Sequence, residues 1–221
     1  MNFNRRDFLK GVSIAAFAGA TPSSLVAEGT TLFVPDMAKG PQKPGGLQKV
    51  EHEVDVCVIG GGMGGLLTAI SAARRGAKVA LMQDRPVLGG NASSEIRMWI
   101  CGAGTRVRNL QETGIMEEIA LDNMARNPSR NWSIWDSILY EKVRFEPNIE
   151  LLLNCACCEA KMSGSRIESV TGFQLTTYQR HTVRAKIFAD CSGDSILAPL
   201  TGAAYRVGRE AKSEFGEEFG I

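Results

Sequence analysis

The residues best suited to chemistry are Gly60, Gly62 and Gly65, a G-x-G-x-x-G run inside Gly60-Gly61-Gly62-Met63-Gly64-Gly65. In that spacing the first glycine permits a tight turn. The second removes the side chain that would hold off a pyrophosphate, and the third lets a helix pack closely. The first helical turn, through Met63 and Gly64, then offers free N–H groups and the positive end of the helix dipole to an anion. Such a run alone is weak evidence, so its flanks decide its meaning. Val54, Val56, Val58 and Ile59 precede it as an apolar, β-branched stretch, the pattern of a buried parallel strand. Leu66 to Arg75 follows with Leu66, Ala69, Ile70 and Ala73 at helical spacing, and after Gly76 a second apolar strand runs from Lys78 to Met82. This is a βαβ unit with the glycines at its strand-to-helix junction.

The end of such a second strand normally supplies an acid that hydrogen-bonds a ribose, but here Gln83 stands there, followed by Asp84 and Arg85. Gln83 can donate to and accept from a hydroxyl, and Asp84 takes the role if the strand ends one residue later. A missing acid beside Arg85 also fits a 2′-phosphate, which leaves NADP open at this position.

Beyond it comes Pro86-Val87-Leu88-Gly89-Gly90-Asn91-Ala92-Ser93-Ser94-Glu95. Here the chain resembles the FAD-dependent oxidoreductases of the glutathione-reductase-like fold, in particular a bacterial exported group in which an LGGN segment follows the second strand. The resemblance implies FAD as cofactor and places Gly89, Gly90 and Asn91 near its pyrophosphate and flavin. A second motif, Asp190-Cys191-Ser192-Gly193-Asp194, looks like the family's DATGD, with Cys191 and Ser192 as small replacements that still let the backbone approach. It implies cofactor contacts at Asp190, Gly193 and Asp194, and a backbone contact to adenine near Cys157. The fold implied is α/β: a Rossmann-like, three-layer FAD/NAD(P)-binding domain with a parallel sheet and a small antiparallel β insertion.

The insertion is read from two strands, Glu150 to Lys161 and Arg166 to Thr177, and a third, Thr182 to Asp190, with Val183, Ala185, Ile187 and Ala189 inward. Asn109 to Asn127 and Trp132 to Phe145 read as helices, the second with Trp135, Ile138, Leu139 and Val143 on one face. Core packing is the expectation for Trp132 and Trp135. Glu95 and Arg97 are the weak catalytic candidates, within reach of a flavin face or a substrate carboxylate, although an ordinary ion pair is the plainer reading. Arg209, Glu210, Lys212 and Glu214 read as a solvated charged face.

The amino terminus reads as an address. Asn4-Arg5-Arg6-Asp7-Phe8-Leu9-Lys10 resembles the twin-arginine export signal, followed by a mild apolar run from Val12 to Ala20 and cleavage after Ala20 or Ala27. That resemblance implies export of a folded protein to the periplasm or beyond, the export machinery as a partner, and no permanent membrane anchor. Residues 28–50, with Pro35, Pro41, Pro44, Gly40, Gly45 and Gly46, read as a linker, which leaves 51–221 for the folded domain.

Composition narrows the function. Lys and Arg number 25 against 24 Asp and Glu, so no basic surplus supports a nucleic-acid binder. Six unevenly spaced cysteines and two histidines, His52 and His181, give neither a disulfide scaffold nor an expected metal site. Cys155 and Cys158 form a lone CxxC, read as structural. The expected function is hydride transfer from a small organic substrate to FAD, with the domain incomplete because relatives continue into a substrate domain. The alternatives are an NAD(P)-dependent sugar-active oxidoreductase and a non-catalytic nucleotide-binding module.

Overall fold

The computed structural model of the protein describes residues 47–102 and 112–216. The twin-arginine segment and most of the linker lie outside the described residues. Six strands form one sheet in the order β3-β2-β1-β6-β5-β4. They are β1 (Gln48–Ile59), β2 (Val79–Met82), β3 (Ile149–Leu152), β4 (Cys155–Ser163), β5 (Arg166–Gln174) and β6 (Gln179–Asp190). β3, β2, β1 and β6 are parallel neighbours, and β5 runs antiparallel to both β6 and β4.

β1 begins at Gln48, inside the stretch read as linker, because its first half alternates. Lys49, Glu51 and Glu53 face solvent while Val50 and His52 turn inward. The continuous apolar pattern starts only where the strand is covered on both faces, and Cys57, Val58 and Ile59 are fully buried there. α1 (Met63–Arg74) starts three residues before the expected Leu66, since Met63 to Gly65 already form its first turn.

The expected single strand Glu150 to Lys161 is instead two. β3 pairs with β2 in the parallel sheet, the chain turns through Asn154 at φ 53°, and β4 starts the antiparallel meander. Asparagine tolerates that left-handed conformation, and the turn separates two strands whose apolar content reads as one. β6 begins at Gln179, ahead of the expected Thr182. Ile187, expected inward, is 61% exposed, which corrects that reading. Its side chain belongs to neither buried cluster, so its face of the strand is uncovered there, and the pairing of β5 with β6 stops short of it at Arg184. From Ala185 to Asp190, β6 has β1 on one side and, among the described residues, no strand on the other.

Two clusters of buried residues make the layers. On one face Val58, Val79 and Leu81 pack against Leu66, Ile70 and Ala73 of α1, with Ile119 of α2 (Gly114–Arg126) and Trp135, Ile138, Leu139 and Val143 of α3 (Trp132–Arg144). The four expected inward residues of α3 are all buried. Asn131 caps that helix, its side-chain oxygen accepting from the N–H of Ser133 at 2.8 Å. α2 starts at Gly114, later than expected: Thr113 is extended and Glu112 is not helical, while Asn109 itself falls outside the described residues. On the other face Cys57, Ile59, Ala80, Met82 and Leu152 meet Cys155, Val170 and Val183, so the meander forms a third layer beneath the parallel sheet. The contact is close: a Cβ on Gly172 of β5 would lie 2.6 Å from the Met82 sulfur.

The chain ends its described part with two short helices, α4 (Leu197–Thr201) and α5 (Lys212–Phe215). Arg206 pairs with Glu214, and Arg209 and Glu210 are solvent-exposed.

Candidate functional site

The site lies where β1, β2 and β6 end. The N–H of Gly60 donates to the Met82 carbonyl at 2.8 Å, and that of Cys191 donates to the Ile59 carbonyl at 2.7 Å, so the three strand ends are held together. Gly60 turns there with φ +94°, and a Cβ on it would stand 2.3 Å from the Cys191 carbonyl oxygen. A Cβ on Gly65 would stand 1.8 Å from the Gly60 carbonyl oxygen. Both positions therefore admit only glycine. Gly62 differs: its φ of −62° suits any residue, and the nearest heavy atom to an added Cβ is the Gly90 Cα, 4.0 Å away. Around Gly64 there is nothing within 4 Å. The protein thus keeps Gly62 and Gly64 bare on their open side, for no packing reason of its own.

α1 begins at this place without a side-chain cap and without an acidic residue in its first turn. Its first N–H groups and its dipole are left directed at the same opening, an arrangement that fits a bound phosphate.

The LGGN turn forms the other wall. The Gly89 N–H donates to the Gly61 carbonyl at 2.8 Å, Gly62 and Gly89 form an isolated parallel bridge, and a Cβ on Gly90 would come within 3.1 Å of the Gly62 Cα. Gly89 (φ +107°) and Gly90 (φ +58°) both need the left-handed region. α3 fixes this wall from outside. Leu139 lies under Gly89, the Trp135 indole Nε1 donates to the Ala92 carbonyl at 2.6 Å, and the Ser94 N–H donates to Asp136 Oδ1 at 3.0 Å. Trp135 is thus both core and a support of the site. A tryptophan followed directly by an aspartate was the available signal, but neither residue type announces its partner.

Asn91 is exposed, with its carbonyl accepting from the Met98 N–H. Beside Ala92 opens an apolar cavity of about 640 Å³, walled by Trp99, Trp132, Trp135, Met98, Met116 and Met124. The Trp99 and Trp132 rings are tilted against one another at 5.8 Å.

The remaining expected residues divide. Asp190 uses both oxygens within its own loop: Oδ1 accepts from the Ser192 N–H and hydroxyl, and Oδ2 accepts from the Leu197 N–H at 2.8 Å. Gly193 (φ +83°) and Asp194 are exposed at the loop's tip. Asp84 and Arg85 are exposed and lie 3.7 Å apart. Gln83 is buried, with its Oε1 accepting from the Gly61 N–H at 2.6 Å and its Nε2 donating to the Val87 carbonyl at 3.1 Å. Glu95 stands 3.9 Å from Arg85, and Arg97, at φ 61°, donates from Nε to the Ser94 carbonyl, so the two catalytic candidates do not pair with each other.

Cys157 sits half-buried in β4, packed against the far-side core. Burial pushes its thiol up to about 12, and likewise that of Cys155. Cys158, the other member of the CxxC, is exposed while Cys155 is buried. Among the described residues no group of three or more His, Cys, Asp or Glu is placed to hold a metal ion, and no helix is long and apolar enough to cross a membrane.

The model of the family described as FAD dependent oxidoreductase matches residues 55–220, the whole of the sheet from the second half of β1 onward. The chain belongs to the FAD-dependent oxidoreductase family. FAD is therefore the cofactor of the family, and the open space beside Gly62 and Gly64 is compatible with a dinucleotide there.

Among curated proteins, aklavinone 12-hydroxylase RdmE of Streptomyces purpurascens is 53% identical over 38 residues, which is 17% of this chain and 7% of that one. A geranylgeranyl bacteriochlorophyll reductase-like protein from Thermoplasma acidophilum shares the fold at TM-score 0.50 and 17% identity. That match covers 73% of this chain and 45% of the other. A flavoprotein/dehydrogenase from Cytophaga hutchinsonii matches at TM-score 0.49 and 16% identity, over 72% and 44% of the two chains. The chain thus spans less than half the length of these relatives.

Proposed function

We propose that the chain is the FAD-binding portion of an exported oxidoreductase that accepts hydride from a small organic substrate. The observation that carries the reading is Gly62. A residue free to be alanine on backbone grounds is left bare where an uncapped helix start opens onto the gap between two glycine walls. On this reading the N–H groups of Met63 and Gly64 meet the pyrophosphate, while Gly60 and Gly65 set the turn that aims them. Gly89, Gly90 and Asn91 flank the flavin side. Asp84 and Arg85 lie toward the adenosine ribose. Gly193 and Asp194 approach from the third loop, which Asp190 shapes, and the β4 backbone near Cys157 lies toward adenine.

When bound, FAD supplies the hydride-accepting chemistry, and the protein supplies binding and orientation. The chain's own residues hold the anion and leave an apolar cavity beside Ala92 suited to the apolar part of a substrate. Among the described residues β6 has no strand beside it from Ala185 to Asp190 on the side away from β1, an edge that favours pairing with a further strand. The Arg5-Arg6 signal favours export in the folded, cofactor-loaded state.

The test is native mass spectrometry of the protein from its own host. An FAD-sized adduct on a signal-cleaved chain is expected. A chain with NAD(P), or with no nucleotide, overturns the reading, and a chain retained with its signal in the cytoplasm overturns the export part alone.

A further inference from the structure

We propose that Gln83 is a positioning residue that locks the two glycine walls of the cofactor cradle at their working distance, and that it serves by being a neutral amide. The proposal rests on the FAD-binding reading of the cradle.

Gln83 follows β2 directly and is tied at four points. Its backbone N–H donates to the Leu152 carbonyl at 2.9 Å, and its carbonyl accepts from the Cys155 N–H at 2.8 Å, so its backbone is fixed to the end of β3 and the start of β4. From that anchor the side chain reaches both walls. Oε1 takes the Gly61 N–H and Nε2 gives to the Val87 carbonyl, in a place where the residue is only 4% exposed. Gly61 has its other polar atom engaged too, its carbonyl accepting from Gly89. The backbone around Gly61 is therefore fixed in orientation from both ends. With it is fixed the direction in which the chain presents Gly62 and the first turn of α1. Leu88 closes the same junction, its Cδ2 standing 2.6 Å from where a Gly61 Cβ would be.

The two contacts have opposite polarity, one accepting and one donating. Glutamine satisfies both in one planar group. A glutamate at 83 keeps the contact to the Gly61 N–H but sets an anionic oxygen against the Val87 carbonyl in a buried place, which drives the LGGN wall outward. A protonated glutamic acid restores the donor. Burial and the facing carbonyl both favour that protonated form, so the restoration lies above the ordinary carboxylate range. A residue acting instead as a ribose ligand behaves in the opposite way: a carboxylate at 83 accepts from ribose hydroxyls better than an amide does, and the ionised form is the tighter binder.

The experiment uses the full chain, wild type, Q83E and Q83M, and titrates each with FAD from about pH 5.5 to about pH 8.5 by flavin fluorescence. The expected result is that Q83E binds FAD about tenfold or more weakly than wild type at the alkaline end and recovers to within about threefold on acidification. Q83M is expected to be weak throughout. Q83E binding as tightly as wild type at the alkaline end, or losing affinity on acidification, overturns the proposal. Amide hydrogen exchange at Gly61 and Gly89 in the FAD-free protein is the second measurement. Q83M is expected to raise both rates about tenfold or more, and unchanged rates overturn the positioning role. If wild type takes up no FAD, the cofactor reading falls by itself, and the exchange rates still decide what Gln83 does.

Discussion

The Gly60 carbonyl oxygen and Gly65 meet so closely that a single added carbon on Gly65 would lie 1.8 Å from the oxygen. Gly62, between them in sequence, has 4.0 Å of room at the corresponding place and an ordinary φ of −62°. Packing thus requires glycine at 65, while nothing in the protein's own packing requires it at 62. G65A is expected to destabilise the domain by about 2–4 kcal/mol and to abolish FAD retention together with it. G62A is expected to leave unfolding free energy within about 1 kcal/mol of wild type while losing FAD, because only the ligand meets the new methyl. Urea unfolding beside flavin content of the same preparations checks both.

The indole of Trp135 is a support that leaves its own signature. W135F keeps most of the buried ring and removes the Nε1–H bond to the Ala92 carbonyl, leaving a buried acceptor without its donor. A loss of about 1–2 kcal/mol in unfolding free energy is expected. Because that carbonyl belongs to the turn after Asn91, hydrogen exchange is expected to speed up at Ser93 and Ser94 more than within α3.

The two histidines of the chain are one unit. His52 Nε2 and His181 Nδ1 lie 2.8 Å apart, His52 Nδ1 is 2.9 Å from Glu150, and His181 Nε2 is 3.2 Å from Gln174 Oε1. Gln174 is oriented by its Nε2 donating to the Leu153 carbonyl, so it presents an acceptor to His181. Burial first, and His52 second, lower the His181 pKa below the usual 6.5 against a smaller opposing pull from Glu150. A depressed histidine pKa means that the unfolded chain binds more protons, so stability rises with pH through this region and falls as pH drops below about 6.5. Urea unfolding between about pH 5 and about pH 8 is expected to show that fall in wild type and a flatter profile in H181Q.

Glu118 of α2 accepts from Arg74 of α1 at 2.6 Å and from Lys142 of α3 at 2.9 Å, tying the helical layer together. The Arg74 guanidinium first, and Lys142 second, hold its carboxyl at about 2. Its contribution is thus present above the ordinary value of 4.5 and disappears as pH falls through about 2. The groups are partly exposed, so E118Q is expected to cost only about 0.5–1 kcal/mol at neutral pH and to converge on wild type at the acid end of a urea-unfolding series.

Much of this was legible in the residues. The βαβ unit is local: periodicity marks β1, α1 and β2, and the spacing of Gly60, Gly62 and Gly65 already assigns a turn, an open face and a close packing contact. The buried face of α3 followed from spacing in the same way. The β3–β4 break was not legible, because the apolar and small residues from Leu151 to Cys157 are interrupted by Asn154 alone, and its left-handed φ is what divides them. Ile187 misled for a related reason. Alternation tells which residues share a face of a strand, not whether anything covers that face. Gln83 marks the deeper limit: its position was visible, but that its amide faces the protein's own backbone depends on how two distant turns close on each other.

We propose above that the cradle formed by Gly60 to Gly65 and by Gly89 to Asn91 holds FAD. The most direct measurement is native mass spectrometry of purified wild type and G62A side by side, with a thermal melt of each in the absence of added nucleotide. An FAD adduct is expected on wild type and none on G62A, with the melting temperatures of the two apoproteins within about 4 °C of each other. FAD retained at wild-type level by a folded G62A would contradict that proposal, because the methyl would then occupy no space that the cofactor needs.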